Sequence, residues 1–264
     1  MEKEMRIAVL IDAENISNKY IEVIMSEANV LGNVICKRIY GDWTKQNMAS
    51  WKEVILDNSI QPIQQYSNTS GKNSTDSSLI IDAMDLLSSG RINGFCIVSS
   101  DSDFTRLAAR LREAEMYVLG MGEQKTPRSF ISACNKFSYL DILYATAKKI
   151  ADDEAAAARE PVAEKNGSKK SKAGASKAKA KPEKTGSHID RIKMELQRLT
   201  KENSDDDGWI YAAKLGNLIA KQFPDFDVRN FGHSKFFQFI ESLDLFETKR
   251  NSADLFFKLK NDIK

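Results

Sequence analysis

The chain has 264 residues, 42% of them hydrophobic, so it has room for one large or two smaller domains with buried cores. Its three cysteines are widely spaced and form no CxxC or Cys/His cluster, which argues against a zinc site. The formal net charge of +2 hides an uneven distribution, because residues 165–184 hold eight lysines and one acid.

The N-terminus gives no sign of a targeting segment. A short charged stretch runs directly into an apolar strand, and no apolar run approaches membrane-spanning length. We therefore expect a cytoplasmic protein with no membrane partner, and a monomer by default.

The first part of the chain alternates between strand-like and helix-like segments. Such alternation indicates βαβ units and a parallel sheet. A further segment, 130–143, is expected to close this domain. The predicted strands are Ile7–Asp12, Ile35–Tyr40, Gln61–Tyr66, Phe95–Ser99 and Tyr117–Met121, and the predicted helices are Ile16–Ala28, Met48–Asp57, Thr75–Ser88 and Phe104–Ala114.

The composition changes after about residue 145. Residues 161–186 are rich in Lys, Ala, Ser and Gly and have few apolar side chains, which is typical of a flexible linker or a cationic nucleic-acid arm. Three amphipathic segments and a strand pair follow, an order that predicts a small winged-helix domain. The predicted helices are Ser187–Glu202, Ile210–Phe223 and Phe231–Leu243, and the predicted strands are Leu245–Arg250 and Asp254–Leu259.

Carboxylates stand at three places where a ligand site is expected. Asp12 ends the first apolar strand, Asp101 and Asp103 follow the fourth, and Asp76 lies in the first turn of a predicted helix. In open α/β sheets, ligands bind outside the carboxyl ends of the strands. Because gathered carboxylates repel one another, they imply a bound cation, and hard oxygen ligands favour Mg²⁺ or Mn²⁺.

Each of these carboxylates also has a simpler interpretation. Asp76 and Asp103 lie where a side chain caps the start of a helix, and either could do only that. Four separate caps are harder to accept, because Asp12 ends an apolar strand, where a charge without a role is costly. Asn15 adds a neutral polar group near the same point. A phosphatase of the haloacid dehalogenase type is a weak third interpretation, since Glu14 and Ile16 replace the residues usual there.

The order and spacing of these motifs closely resemble the NYN domain family of the PIN-like nuclease superfamily, in its bacterial LabA-like branch. The resemblance covers about residues 5–145 and rests on residues 11–15, 72–76 and 98–104. It implies a three-layer domain with a parallel sheet and metal-dependent ribonuclease activity. The chain departs from the family at Ser100, where glycine is common. A side chain at this position could crowd a bound phosphate, and thereby impair catalysis, or leave it unaffected.

Carried onto this chain, the resemblance implies a role for each matching residue. Asp12 would be a central metal ligand with Asn15 as its neighbour, and Asp76, Asp101 and Asp103 would complete the acidic site. Lys72, in the loop before the third helix, would lie near a phosphate, although an ordinary loop lysine is the alternative.

The C-terminal segment resembles the OST-HTH, or LOTUS, domain over about residues 186–262. The residues that carry this resemblance are Gly208–Ile210, Leu215–Gly216, Phe223–Phe226 and Phe231–Phe236. It implies binding of RNA or of a protein. His233 and Lys235 stand at a predicted helix start and are candidate phosphate contacts. The aromatic residues are expected mostly in the core, with stacking on single-stranded bases as the alternative.

These observations predict a nuclease domain at 1–148, a Lys/Ala-rich flexible linker at 149–186 and a winged-helix domain at 187–264. The expected function is hydrolysis of RNA, single-stranded or structured, with Mg²⁺ or Mn²⁺. The alternative is a catalytically inactive adaptor that binds RNA or protein.

Overall fold

The computed structural model describes residues 4–66, 74–157, 185–251 and 254–260. Contacts divide the chain into two compact units. Unit 1 comprises Met1–Thr146 and Ala220–Phe239, and unit 2 comprises Ala147–Ile219 and Ile240–Lys264. Lys72 and most of the lysine-rich segment lie outside the described residues.

Unit 1 is built on a six-stranded sheet in the order β3-β2-β1-β4-β5-β6, in which every pairing is parallel. This confirms the predicted α/β class. The strands are β1 (Arg6–Asp12), β2 (Asn33–Gly41), β3 (Gln61–Gln64), β4 (Gly94–Val98), β5 (Tyr117–Gly122) and β6 (Lys136–Tyr139).

The central strands are apolar throughout because both faces of the sheet are covered. In β1, Ile7, Val9 and Ile11 pack into one core, while Ala8 and Leu10 pack into the other. All five are fully buried. A parallel sheet covered on both sides requires such an apolar run, since successive side chains point to opposite faces.

The helices of unit 1 form the two outer layers. Buried residues of α1 (Ile21–Leu31), α2 (Trp51–Asp57) and α6 (Leu140–Ala157) belong to the first core. Those of the other three helices belong to the second core. These three are α3 (Ser74–Ser88), α4 (Thr105–Glu113) and α5 (Arg128–Ala133). Because α6 continues to Ala157, the start of the predicted linker, residues 149–157, is helical.

The strand order reverses between β1 and β4. The chain adds β2 and β3 on one side of β1 and then crosses to place β4, β5 and β6 on the other side. The carboxyl ends of β1 and β4 are therefore a topological switch point, which is the usual ligand position in open α/β sheets. Asp12 is the last residue of β1, so the fold brings it to this position.

Within unit 1, residues 220–239 are held by two buried carboxylates. Asp225 accepts hydrogen bonds from Arg128 at 2.7 Å and from the Tyr139 hydroxyl at 2.9 Å. Glu27 forms ion pairs with Arg229 at 2.7 Å and with Lys136 at 3.5 Å. A buried carboxylate needs such partners, because an unpaired one would cost several kcal/mol.

After residue 184 the described residues form three α-helices, a short 3-10 helix (Val228–Phe231) and a small antiparallel sheet in the order β7-β9-β8. Buried side chains of unit 2 include Leu196, Ile210, Leu215 and Phe257, and α7 contacts β7 and β9. These features confirm the predicted C-terminal architecture. The elements are α7 (Thr185–Asn203), β7 (Trp209–Tyr211), α8 (Ala212–Gln222), α9 (Phe236–Ser242), β8 (Phe246–Asn251) and β9 (Asp254–Leu259).

Two short strands were absent from the predicted elements. Lys136–Tyr139 pairs with β5, within the segment that was expected only to close the domain. Trp209–Tyr211 pairs with β9, so the helix predicted from Ile210 begins at Ala212 instead. Among the described residues, no helix is both long and apolar enough to cross a membrane.

Candidate metal centre

Three carboxylates converge at the switch point of unit 1. Asp76, Asp101 and Asp103 each offer one carboxylate oxygen, and these oxygens all lie within 4.8 Å of one another. Asp76 comes from the first turn of α3, and the other two follow β4. Asp76 and Asp101 are half-buried, while Asp103 is exposed. We call these three residues the carboxylate triad.

Asp12 lies beside the triad and is not part of it. It is 3% exposed, and the negative charge of Asp76 is one of the causes that raise its pKa. Burial raises the pKa of Asp12 to about 6, although hydrogen bonds from Ser99, Glu14 and Asn15 oppose the rise. Ionisation of Asp12 is therefore costly in the protein by itself.

The pKa of Asp76 is also raised to about 6. Burial is the largest cause, followed by the negative charges of Asp101, Asp103 and Glu14. Like charges at short range disfavour ionisation, so the negative charges of Asp101, Asp103 and Glu14 make it harder for Asp76 to lose its proton. The site therefore carries negative charge that a bound cation would stabilise.

Ser99 connects Asp12 to the triad. Its hydroxyl donates to Asp12 Oδ2 at 2.9 Å and accepts the backbone N–H of Asp101 at 3.1 Å. Asp12 Oδ1 accepts the backbone N–H groups of Glu14 at 3.1 Å and Asn15 at 3.3 Å. These bonds fix the Asp12 carboxylate relative to the loop that carries Asp101.

Asn15 and Ser100 hold the loop after β4 in place. The Asn15 side-chain oxygen accepts the backbone N–H of Ser100 at 3.2 Å. The Ser100 hydroxyl accepts the N–H of Glu123 at 2.9 Å, next to the end of β5. The Ser100 side chain is thus accommodated by a hydrogen bond to the backbone beside β5.

Asp101 also caps the short helical turn that follows it. Its Oδ1 accepts the N–H of Asp103 at 3.0 Å, so the cap is Asp101 and not Asp103, the residue that the capping interpretation of the sequence names. Capping and membership of the triad are compatible, because a carboxylate has more than one acceptor position.

Two residues beside the site were not selected from the sequence. Glu14 accepts a hydrogen bond from Thr75 at 3.0 Å and forms an ion pair with Lys45 at 2.5 Å. Because Glu14 stands within the Asp12–Asn15 motif, the sequence could have indicated that it lies near the site. The sequence gives no such indication for Lys45, which follows β2 and comes near the site only when the chain folds.

Asp82 and Asp85 differ from the triad in their surroundings. Asp82 pairs with Arg38 at 2.9 Å and accepts the Tyr40 hydroxyl at 2.8 Å, so its charge is already compensated. Asp85 is exposed to solvent.

The predicted RNA contacts lie elsewhere or outside the described residues. His233 is half-buried with its ring 5.9 Å from that of Phe239, and Lys235 is exposed immediately before α9. Lys72 lies outside the residues that the structure describes. The triad and its neighbours therefore stand as the most developed candidate site.

The donor set of the triad fits a hard divalent cation. It offers carboxylate oxygens, which Mg²⁺ and Mn²⁺ prefer, and the nearby Lys45 is paired with Glu14. Burial and the neighbouring negative charges raise the pKa of Asp76, and a bound cation would offset both effects.

Comparison with known proteins gives two matching families. The NYN domain model matches residues 6–141, and the OST-HTH/LOTUS domain model matches residues 187–254. No curated protein matches the chain. A crystal structure of VPA0982, a protein of unknown function from Vibrio parahaemolyticus, is similar at 16% identity, covering 52% of this chain and 93% of that one with a TM-score of 0.43. The chain belongs to the NYN domain family, of the PIN-like nuclease superfamily, and carries a C-terminal OST-HTH/LOTUS domain.

Proposed function

We propose that this protein is a metal-dependent ribonuclease whose active site is the carboxylate triad with Asp12. The observation that carries the proposal is the convergence of three carboxylate oxygens within 4.8 Å at the switch point of a nuclease-superfamily fold. Such a group is electrostatically unfavourable without a cation, as the raised pKa values of Asp12 and Asp76 indicate.

The triad residues would hold Mg²⁺ or Mn²⁺ through oxygen ligands. When bound, the ion would supply charge stabilisation for the phosphodiester and activation of the attacking water. Asp12 would add a further carboxylate on the sheet side of the site. Its fixed hydrogen bonds to Ser99 and to the backbone of Asn15 keep it in one orientation.

Asn15 and Ser99 act in this proposal as positioning residues. Asn15 holds the backbone at Ser100, and Ser99 joins Asp12 to the Asp101 backbone. Such fixed surroundings matter because a catalytic group displaced by about 1 Å can lose roughly 100-fold in rate. A buried hydrogen-bond network at the sheet end therefore supports the exposed side of the site.

RNA binding is assigned to the rest of the chain. We propose a nuclease domain at 1–148, a lysine-rich connecting segment at 149–186 and a LOTUS domain at 187–264 that binds RNA or a protein partner. The eight lysines of residues 165–184 provide positive charge that the acidic site lacks. Affinity for RNA should therefore fall steeply as salt concentration rises.

Incubation of the full chain with labelled RNA, DNA and a small phosphate ester, in Mn²⁺ and in EDTA, tests this proposal. The nuclease proposal predicts RNA cleavage in Mn²⁺ that EDTA abolishes. RNA binding without cleavage across a panel of single-stranded and structured RNAs would favour an inactive adaptor. Hydrolysis of the small ester without cleavage of RNA would favour a phosphatase.

A further inference from the structure

The outer face of the small antiparallel sheet carries three aromatic side chains. In the sheet register, Trp209 lies opposite Lys258 and Tyr211 lies opposite Phe256. Directly opposed residues point to the same face, and so do residues two positions apart. Ile210 and Phe257 point the other way and are 1% and 0% exposed. The sheet therefore buries one face and presents the aromatic residues on the other.

These aromatic side chains are accessible from outside. Tyr211 is 43% exposed, and Trp209 and Phe256 are half-buried. The rings of Tyr211 and Phe256 lie 5.7 Å apart between centroids and are tilted by 52°. An aromatic core residue would be covered on both sides, so this arrangement leaves ring surface available for a ligand.

Two lysines border the Trp209 ring. The Nζ atoms of Lys249 and Lys258 lie 5.6 Å and 5.7 Å from the ring centroid. Neither Nζ has a carboxylate within 4.0 Å among the residues that the structure describes. The acidic residues of β8 and β9 are Glu247 and Asp254, and Glu247 lies opposite Lys258 in the strand register. We call Trp209, Tyr211, Phe256, Lys249 and Lys258 the aromatic–lysine face.

A groove of about 490 Å³ adjoins this face in unit 2. Lys258 borders both the groove and the Trp209 ring, so the two surfaces are continuous. Lys201 and Lys260 also line the groove, and Lys260 is paired with Asp244. The cations therefore extend from the aromatic rings into a concave surface.

We propose that the aromatic–lysine face binds single-stranded RNA, with bases stacked on the rings and phosphates beside the lysines. Aromatic side chains next to a cationic groove suit an unpaired strand, because every base offers a ring surface and every nucleotide a negative charge. A protein partner of apolar character would instead require the lysines to lose water without compensation. The inference places the RNA contact of the proposed function on a defined surface, and it is independent of cleavage.

Fluorescence anisotropy with the full chain tests this inference. The probe is a labelled, unstructured 12-nucleotide RNA, and EDTA prevents cleavage. Tyr211→Ala should raise the Kd about 5- to 100-fold, since stacking on one aromatic ring is worth that much per base, and Tyr211→Phe should retain the affinity. Met194→Ala removes another exposed apolar side chain of unit 2, on α7, and should have no effect.

The contribution of the lysines to RNA affinity can be measured separately, from the dependence of the affinity on salt concentration. Lys249→Gln should reduce the slope of log affinity against log salt by about 0.7, the value for one phosphate contact on a single strand. Lys52→Gln removes an exposed lysine from α2 of unit 1 and, as the control, should leave the slope unchanged. The Tyr211→Ala loss should persist in high salt, where charge contacts of residues 165–184 are weakened.

Equal RNA affinities for Tyr211→Ala and Met194→Ala, with both proteins folded by circular dichroism, would overturn the inference. Absence of RNA binding by the wild type would overturn it as well, and would favour a protein ligand. Loss of RNA affinity in Tyr211→Ala by a protein that cleaves nothing would support this inference while refuting the proposed ribonuclease activity.

Discussion

Replacement of Asp12 by Asn should stabilise the protein in the absence of metal at neutral pH. Asp12 is 3% exposed, and its pKa is raised from 3.8 to about 6, chiefly by burial. At about 1.4 kcal/mol per pH unit, keeping this side chain ionised at pH 7 costs about 3 kcal/mol of folding free energy. Asparagine has nearly the same shape and does not titrate.

The net gain in stability from Asp12→Asn should be smaller than the full cost of ionising Asp12. Asparagine keeps the oxygen that accepts the N–H groups of Glu14 and Asn15, but its amide replaces the oxygen that faces the Ser99 hydroxyl. Rearranging that bond costs about 1 kcal/mol. We therefore expect a gain of about 2 kcal/mol at pH 7, which corresponds to roughly 4–8 °C in Tm.

The stability difference between Asp12→Asn and wild type should depend on pH. A carboxyl whose folded pKa is raised contributes stability below its unfolded value, and this contribution is lost as the pH rises through about 6. The difference in unfolding free energy between Asp12→Asn and wild type should therefore be small at pH 4 and reach its full value at pH 7. Mn²⁺ should narrow or reverse it, because metal at 100 times its Kd stabilises the wild type by about 2.7 kcal/mol.

Urea unfolding at pH 4 and pH 7, in EDTA and in Mn²⁺, measures these differences. Asp85→Asn is the matched control, because Asp85 is an exposed acid on α3. An Asp12→Asn protein that is less stable than wild type at pH 7 in EDTA would show that the ionised Asp12 carboxylate does not destabilise the fold. A difference that is the same at both pH values would contradict the expected pH dependence.

Three further outcomes are expected. Mn²⁺ affinity, measured by calorimetry, should weaken about tenfold per pH unit for each displaced proton as the pH falls below about 6, where Asp12 and Asp76 hold protons, and a flat profile would contradict this. Ser99→Ala should lower the RNA cleavage rate about tenfold while reducing unfolding free energy by only about 1–2 kcal/mol, and unchanged cleavage would remove Ser99 from its positioning role. Burial would raise the pKa of Glu27, but Arg229, Lys136 and Ser138 lower it overall. Arg229→Met should therefore lower the free energy of unfolding by about 2 kcal/mol at pH 7, and by less below pH 4.5, the ordinary pKa of a glutamate. Equal losses above and below pH 4.5 in urea unfolding would contradict this.

The architecture of unit 1 was predictable because its signals are local. The apolar runs of β1 and β4 reflect a sheet buried on both faces, and the first-turn position of Asp76 follows from the period of α3. Strands β6 and β7 gave no comparable signal. Each is only three or four residues long, and β7 pairs with residues about fifty positions later in the chain.

The sequence predicts the approximate location of the candidate site but not its detailed geometry. Parallel strands place their carboxyl ends at one edge, so the proximity of Asp12 to the acids after β4 follows from the fold class. Which oxygens come within ligand distance depends on side-chain hydrogen bonds that the sequence does not reveal. Ser99 holds Asp12 beside the triad, and Lys45 reaches Glu14 across 31 positions of sequence.

The decisive measurement for ribonuclease activity at the triad is the rate of single-stranded RNA cleavage in Mn²⁺ by wild type and by Asp101→Asn. The Asn side chain preserves size and can still cap the turn at Asp103, but it removes one charge from the triad. The cleavage rate should fall at least 100-fold in Asp101→Asn and stay unchanged in Asp85→Asn, which removes an exposed charge from α3. Equal cleavage by wild type and Asp101→Asn would contradict the claim that the triad is the catalytic site.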